Sequence, residues 1–387
     1  MARSKPLIFR LTRWTTTLVV AASMGVTSRS WGQYLLSSVT ALDVPVDARS
    51  IGMGESFSGV PGDLSAVMYN PAGLSDMHGV QASYSFRSLN WLSGFTDFEY
   101  HSAALAFSTP LFAVGILYTR ADQGNSNVVS TTGSDVIGAI ESHSDLLAVG
   151  VARPIVGGLS CGLTIKGFTD GMTVTAGDPG LFFQTYGCFL VDIGAMYTLA
   201  GLMGDERVQD SYSAGISLQN FGSDLREQMS LYHIPPPPSV LIRVPRYFRL
   251  GVSCTLNLLP SNEGGLDPVR LLLSGGYRNL LNPTDYQSGQ RDFWGWGVEA
   301  TAYEMVILRM GGYIDGVNSI YGPRGVPALR YGAGIAVPMA RLGASIPLTL
   351  RFDFAAIPIQ QIFFSTIQSK STLTAVTFGV AYDKSIF

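Results

Sequence analysis

Charge is scarce in this 387-residue chain: Asp, Glu, Lys and Arg together make up 14%, and they nearly cancel, to a formal net charge of −3. A small negative balance excludes the basic surface that a nucleic-acid partner needs. Cysteine is limited to Cys161, Cys188 and Cys254, an odd count that cannot build a disulfide framework. Cys161 and Cys188 fall near the starts of successive antiparallel strand-like runs, roughly 20 Å or more apart at about 3.3 Å per residue, so three free thiols are expected. Histidine occurs four times, and no two copies stand at metal-ligand spacing. The sequence therefore implies neither metal nor cofactor. His143-Ser144-Asp145 holds the residue types of a hydrolase, yet neighbours on a strand point to opposite faces. No nucleophile elbow, phosphate loop or dinucleotide fingerprint occurs in a suitable context. Enzyme activity is not expected.

Long apolar runs are missing as well. Hydrophobic residues reach 47%, but beyond the first thirty residues no stretch of about 18 apolar residues occurs, which excludes transmembrane helices as the explanation. The apolar residues are spread by alternation instead. Phe248, Leu250, Val252, Cys254, Leu256 and Leu258 alternate with Arg249, Gly251, Ser253, Thr255 and Asn257. Phe112 to Thr119 and Phe189 to Thr198 repeat the pattern. A long strand with one greasy and one wet face, recurring along the chain, fits a closed barrel with lipid outside and a polar lumen.

The expected fold class is all-β: a transmembrane antiparallel β-barrel of about fourteen strands. The strands are expected near 80–90, 97–109, 111–121, 143–153, 158–168, 187–198, 209–221, 246–258, 269–281, 292–303, 305–314, 328–337, 346–357 and 372–383. An even number puts both termini on one side, the periplasm for a bacterial outer-membrane barrel. Short connections at Thr109-Pro110, Pro154 to Gly157 and Glu304 are assigned there. The longer, polar stretches 122–142, 169–186 and 222–245 are assigned as loops outside. The last of these contains Pro235 to Pro238, a stiff spacer or a docking segment. Trp91, Tyr247, Trp294, Trp296 and Tyr382 fall near strand ends, where interfacial aromatic belts form.

Charges within the strands fall on the face opposite the apolar one. Lys166, Asp192, Arg249, Arg270, Arg278, Glu299, Arg309, Arg330, Arg351 and Asp353 are expected to point into the lumen, because Arg or Lys on the lipid face costs about 2–4 kcal/mol at the midplane. Such an interior is a selectivity lining or a network that holds a plug. The plug is preferred, since the chain supplies a candidate.

The chain divides into three parts. Residues 1–32 read as a secretory signal: Arg3, Lys5, Arg10 and Arg13 form a basic head, Leu18 to Val26 a short apolar core, and Ser30-Trp31-Gly32 a small-residue cleavage site. Residues 33–78 form a leader and hatch, and 79–387 the barrel. Within the leader, Gly52 and Gly54 permit close packing and tight turns. Asp63 or Ser65 is placed to cap a helical turn, and Asn70-Pro71-Ala72-Gly73 is a turn sequence.

This Gly-x-Gly stretch followed by Asn-Pro-Ala resembles the hatch of the FadL-like superfamily of outer-membrane barrels. Within it the chain looks closest to PorV/PorQ-type proteins, in the leader Ala41 to Arg49, Asp192 to Tyr197, Gln219 to Gly222, Gly297-Val298-Glu299 and Arg309 to Tyr313. The resemblance implies an N-terminal hatch in the lumen. It also implies one of two roles: a protein-binding component linked to type IX secretion, with a secretion translocon or secreted cargo as partner, or a FadL-type channel that passes hydrophobic ligands through the hatch and a lateral opening. That opening needs a break in strand pairing, with Gly115 as a candidate kink. Outer-membrane lipid is the common partner of both readings.

Overall fold

The computed structural model describes residues 42, 45–88, 99–129, 136–176, 181–185, 187–205, 207–231, 240–258, 268–282, 292–315, 328–344, 346–363 and 367–382. The signal reading over 1–32, Trp91, Pro235 to Pro238 and the terminal Phe387 lie outside these residues.

Strands follow one another along the chain: β1 Val80–Ser88, β2 Glu99–Ser108, β3 Ala113–Val129, β4 Val136–Val156, β5 Leu159–Ala176, β6 Leu181–Thr185, β7 Cys188–Ala200, β8 Val208–Gly222 and β9 Leu225–Leu231. After them come β10 Val240–Ile242, β11 Tyr247–Leu258, β12 Val269–Leu280, β13 Asp292–Ala302, β14 Val306–Asp315, β15 Ala328–Pro338, β16 Leu348–Phe363 and β17 Ile367–Tyr382. Fourteen of them close into one antiparallel barrel, while β6, β9 and β10 form a separate three-stranded sheet. Closure is made by the first and last strands, paired from Val80 opposite Tyr382 to Ser88 opposite Thr374. A closed ladder leaves no edge, which satisfies backbone groups that lipid cannot.

Each of the fourteen expected strands has a counterpart in the barrel, and the alternation explains why. On β11, Leu250 and Val252 are exposed while Arg249, Gly251 and Ser253 are buried. Along β4, Leu147, Val149 and Val151 face outward, and Leu146 and Ala148 inward. Connections at one end are short. Thr109 accepts the N–H groups of Leu111 and Phe112 with its hydroxyl. Tyr303 and Glu304 turn the chain with φ of 52° and 58°.

Two expectations need correction. The stretches 122–142, 169–186 and 222–245 are not simply loops: β3, β4 and β5 run on into them, and β6, β9 and β10 lie within them. These stretches are polar or glycine-rich and carry no sustained two-residue alternation, so a periodic strand signal is missing there. Tyr247 is 3% exposed and no part of an outer belt. It lies under the Arg278 guanidinium, 4.7 Å from the ring centre.

The hatch, from residue 45 to Met77, packs against the inner surface of the wall. It contains helix α1 Ala48–Gly52, helix α2 Ala66–Tyr69 and a 3-10 turn Pro71–Asp76. Phe57, Val67, Met68 and Leu74 join Leu117, Leu146 and Phe168 of the wall in one buried apolar cluster. Where the hatch backbone meets the wall, the wall residues are glycine and stand opposite one another: Gly162 with Gly194, Gly215 with Gly251, Gly276 with Gly295, and Gly297 with Gly311. A methyl group on Gly297 would lie 2.5 Å from the Met53 carbonyl oxygen and 2.8 Å from its Cα.

Gly297→Ala is therefore expected to destabilise the hatch by about 1–3 kcal/mol through overpacking. The check is a lower melting temperature in detergent, with Gly167→Ala as control, where the nearest atom to a new methyl is Phe189 Cε1 at 3.9 Å.

Candidate functional site: the hatch and its clamps

Asn70 sits at 0% exposure between hatch and wall. Its Oδ1 accepts the Ala72 N–H at 3.2 Å and starts the 3-10 turn, with Pro71 in the first position, where a missing N–H costs nothing. Its Nδ2 donates to the Ser58 carbonyl at 2.8 Å and to the Ala195 carbonyl of β7 at 3.1 Å. One side chain thus ties two hatch segments and the wall. Around it, Ser160 Oγ donates to the Ala72 carbonyl at 3.3 Å, and Gly73 accepts from the Gly62 N–H at 2.8 Å. Gly52 packs against Arg309 and Gly332, and Gly54, at φ +62°, against the backbone of Trp296 and Gly312.

Ionic contacts form a second clamp. The Arg49 guanidinium holds both Glu299 carboxylate oxygens, at 2.9 and 2.7 Å, and also bonds Asp63. Glu299 further accepts from Arg309 at 2.6 Å. Arg309 lies 2.7 Å from Asp353, which Arg351 also reaches at 2.6 Å. The result is a row of alternating charge from the hatch to β16. A separate pair joins Glu55 to Arg330 at 2.6 Å. Burial opposes ionisation of Glu55, but Arg330, with Arg278 and Arg249 behind it, outweighs that and holds the carboxyl below its usual range.

Arg249 donates to Gln219 Oε1 at 2.5 Å and stacks 5.1 Å from the Tyr69 ring centre, while Gln219 Nε2 reaches the Met68 and Tyr69 carbonyls. Lys166 and Asp192 form a buried pair at 2.6 Å away from the hatch. They meet at a bulge of β7 against β8: Val191 faces Phe221 and Ile193 faces Leu218, leaving two β8 residues opposite one. Asn220 takes φ 61° there, donates its N–H to Asp192 at 2.7 Å and accepts from Lys166 at 2.8 Å. Arg270 is exposed and lines, with Arg351, a cavity of about 390 Å3 beneath the hatch at the short-turn end.

Several of these residues escape motif reading. Asp47, Arg49, Glu55 and Asp63 are the only charges between 44 and 75, and counting them against the arginine-rich wall is the signal that could have found them. Gly115 is no kink: it pairs with Ala106 and Gly150 in unbroken register, and its missing side chain makes room for Val67 and Leu74. Ser144 is buried and donates to Asp170, whereas His143 lies 3.6 Å from Asp145, so the three form no triad. All three cysteines are free. Among the described residues, no group of three or more His, Cys, Asp or Glu side chains is arranged to hold a metal.

The architecture is that of a plugged transmembrane β-barrel. No protein-family model and no curated protein sequence matches the chain. Solved structures do. The Pseudomonas putida toluene transporter TodX superposes with a TM-score of 0.51 at 8% identity, over 92% of this chain and 100% of that one. The deltaS2S3 mutant of the TodX monoaromatic hydrocarbon channel gives 0.54 at 10% identity, over 87% and 98%. The Ralstonia pickettii toluene transporter TbuX gives 0.48 at 12%, over 88% and 98%. At these identities the likeness to TodX establishes a shared fold.

Asn70→Ala removes three hydrogen bonds, two of them fully buried, worth about 0.5–1.5 kcal/mol each, and is expected to loosen the hatch. Higher conductance in planar bilayers is the readout, and unchanged conductance refutes it. The hatch should also respond to pH. Burial, with Asp63 nearby, pushes Asp47 up from 3.8 to about 6, against its bonds to Ser50 and the attraction of Arg49. Its contribution to stability is full below pH 3.8 and falls as pH rises through about 6. Proteolysis of the hatch should therefore quicken from about pH 5 to about pH 7. Asp47→Asn keeps the helix cap and should flatten that dependence.

Proposed function

We propose that this chain is a bacterial outer-membrane channel for small hydrophobic solutes, with residues 33–78 as its hatch and both termini in the periplasm. The observation that carries the reading is the bulged seam between β7 and β8. Inside it the buried Lys166–Asp192 pair is flanked by the apolar side chains of Phe168, Leu190 and Leu225, and outside it stand Phe189 and Phe221. Apolar surface beside a disrupted ladder suits a solute that passes between lumen and lipid. The ionic layer below the hatch suits one poorly, which favours lateral passage at the seam over a straight axial route. The fold shared with a toluene transporter supports the same reading.

Glu299, Arg309, Arg330 and Asp353 then act as clamps for the hatch rather than as a selectivity lining. A second reading, a PorV/PorQ-type barrel that docks a translocon or secreted cargo, draws on the sheet of β6, β9 and β10, which adds protein surface at the end opposite the short turns.

A disulfide between Val191→Cys and Phe221→Cys, which face each other across the seam, would staple it shut. Uptake of labelled aromatic hydrocarbons by cells carrying the stapled barrel should fall to the level of a deletion strain and return on reduction. Equal uptake in wild-type, deleted and stapled cells would overturn the proposal.

A further inference from the structure

We infer that the seam between β7 and β8 is closed by a latch of Lys166, Asp192 and Asn220, whose release frees the end of β8 to swing away from the wall. The inference deepens the channel reading, on which it rests, by naming what regulates passage.

Backbone pairing thins out where the latch stands. The ladder between β8 and β11 ends at Gln219 opposite Tyr247. Past the bulge, β8 meets β7 at only two positions, Phe221 opposite Val191 and Gly222 opposite Leu190. Residues 220–222 are therefore a short flap, laddered on one side, with the bulge as its hinge. On the β11 side, side chains replace the ladder: Asn220 Nδ2 donates to the Pro245 carbonyl at 2.8 Å, and Arg246 to the Gly222 carbonyl at 3.2 Å.

Three buried side chains hold the hinge. Lys166 comes from β5, Asp192 from β7 and Asn220 from β8, and each is at most 1% exposed. Each bonds the other two: Asp192 takes the Asn220 N–H and the Lys166 ammonium, which also donates to Asn220 Oδ1. The Asn220 N–H thus has a carboxylate in place of a ladder carbonyl. The same bonds restrain Asn220 at φ 61°, a conformation that favours glycine. Among the described residues, the side chains of the three bond one another and Pro245 but no part of the hatch, so seating the hatch does not account for them.

The chemistry suits a contact that parts and re-forms. A wall meant only to stay shut is served as well by packed apolar side chains, since burying a charge pair forfeits its hydration. When such a pair separates into water, each charge recovers that hydration, which offsets the lost attraction. An apolar seam has no such return, because opening it wets apolar surface.

Hydrogen–deuterium exchange of the full chain in lipid nanodiscs tests this, read by mass spectrometry at residues 188–193 and 219–222, with β13 as reference. Asp192→Asn keeps an acceptor for the Asn220 N–H but strands Lys166, and is expected to speed exchange at the seam severalfold while β13 is unchanged. Lys166→Met together with Asp192→Asn removes the stranded charge and should restore slow exchange. If Asp192→Asn does not fold, Asn220→Gly releases the Lys166 and Pro245 bonds at a φ that glycine accepts, and should speed the seam alone. Unchanged exchange at the seam or equal acceleration in β13 overturns the latch, as does fast exchange in the double variant. Uptake of labelled aromatic hydrocarbons should rise severalfold in cells carrying Asp192→Asn. Faster exchange at the seam with no rise in uptake supports the latch and overturns the channel reading.

Discussion

Arg49 is the only cation of the hatch, and the seating of the hatch depends on where its charge goes. It shares Glu299 with Arg309, and through Arg309 and Asp353 the row of charge extends to Arg351. Every member has an opposite neighbour, which is the condition under which buried charge is tolerable. Taking away one partner leaves another stranded, at a cost of about 3–5 kcal/mol. The clamp therefore holds or fails as a unit, and it couples the hatch to β13, β14 and β16 at once.

Shape supplies what charge does not. Backbone meets backbone at the glycine belt, so the hatch sits closer to the wall than side chains would allow. Asn70 then uses both ends of its amide at the place where the approach is tightest. Charge fixes the hatch at β13, β14 and β16, and close packing fixes it from β5 round to β14, so the two overlap at β13 and β14. The apolar cluster of Phe57, Val67 and Leu74 adds to both.

The barrel was legible because lipid on one face and a filled lumen on the other force a two-residue period on every wall strand. The outer parts of β3, β4 and β5, and β6, β9 and β10, were not, since their sequences lack a sustained two-residue alternation. Tyr247 shows a different limit: a place near a strand end does not say which face an aromatic residue takes, whereas phase does, and Tyr247 shares the lumen face of Arg249 two positions on. Gly115 shows a third. Glycine in a strand signals close approach as readily as a bend, and only Val67 opposite it decides between them. The clamp partner Glu55 was invisible to motif reading because its salt bridge to Arg330, 275 positions away, leaves no local spacing.

That separation along the chain orders events in time. Arg49 finds Glu299 across 250 positions, Glu55 finds Arg330 across 275, and the Ala48 N–H finds Thr377 across 329. The segment synthesised first has no seat until nearly the last strand exists, so it must wait, solvated and open to other partners, while the cylinder is being assembled. Maturation of this protein accordingly ends at its beginning.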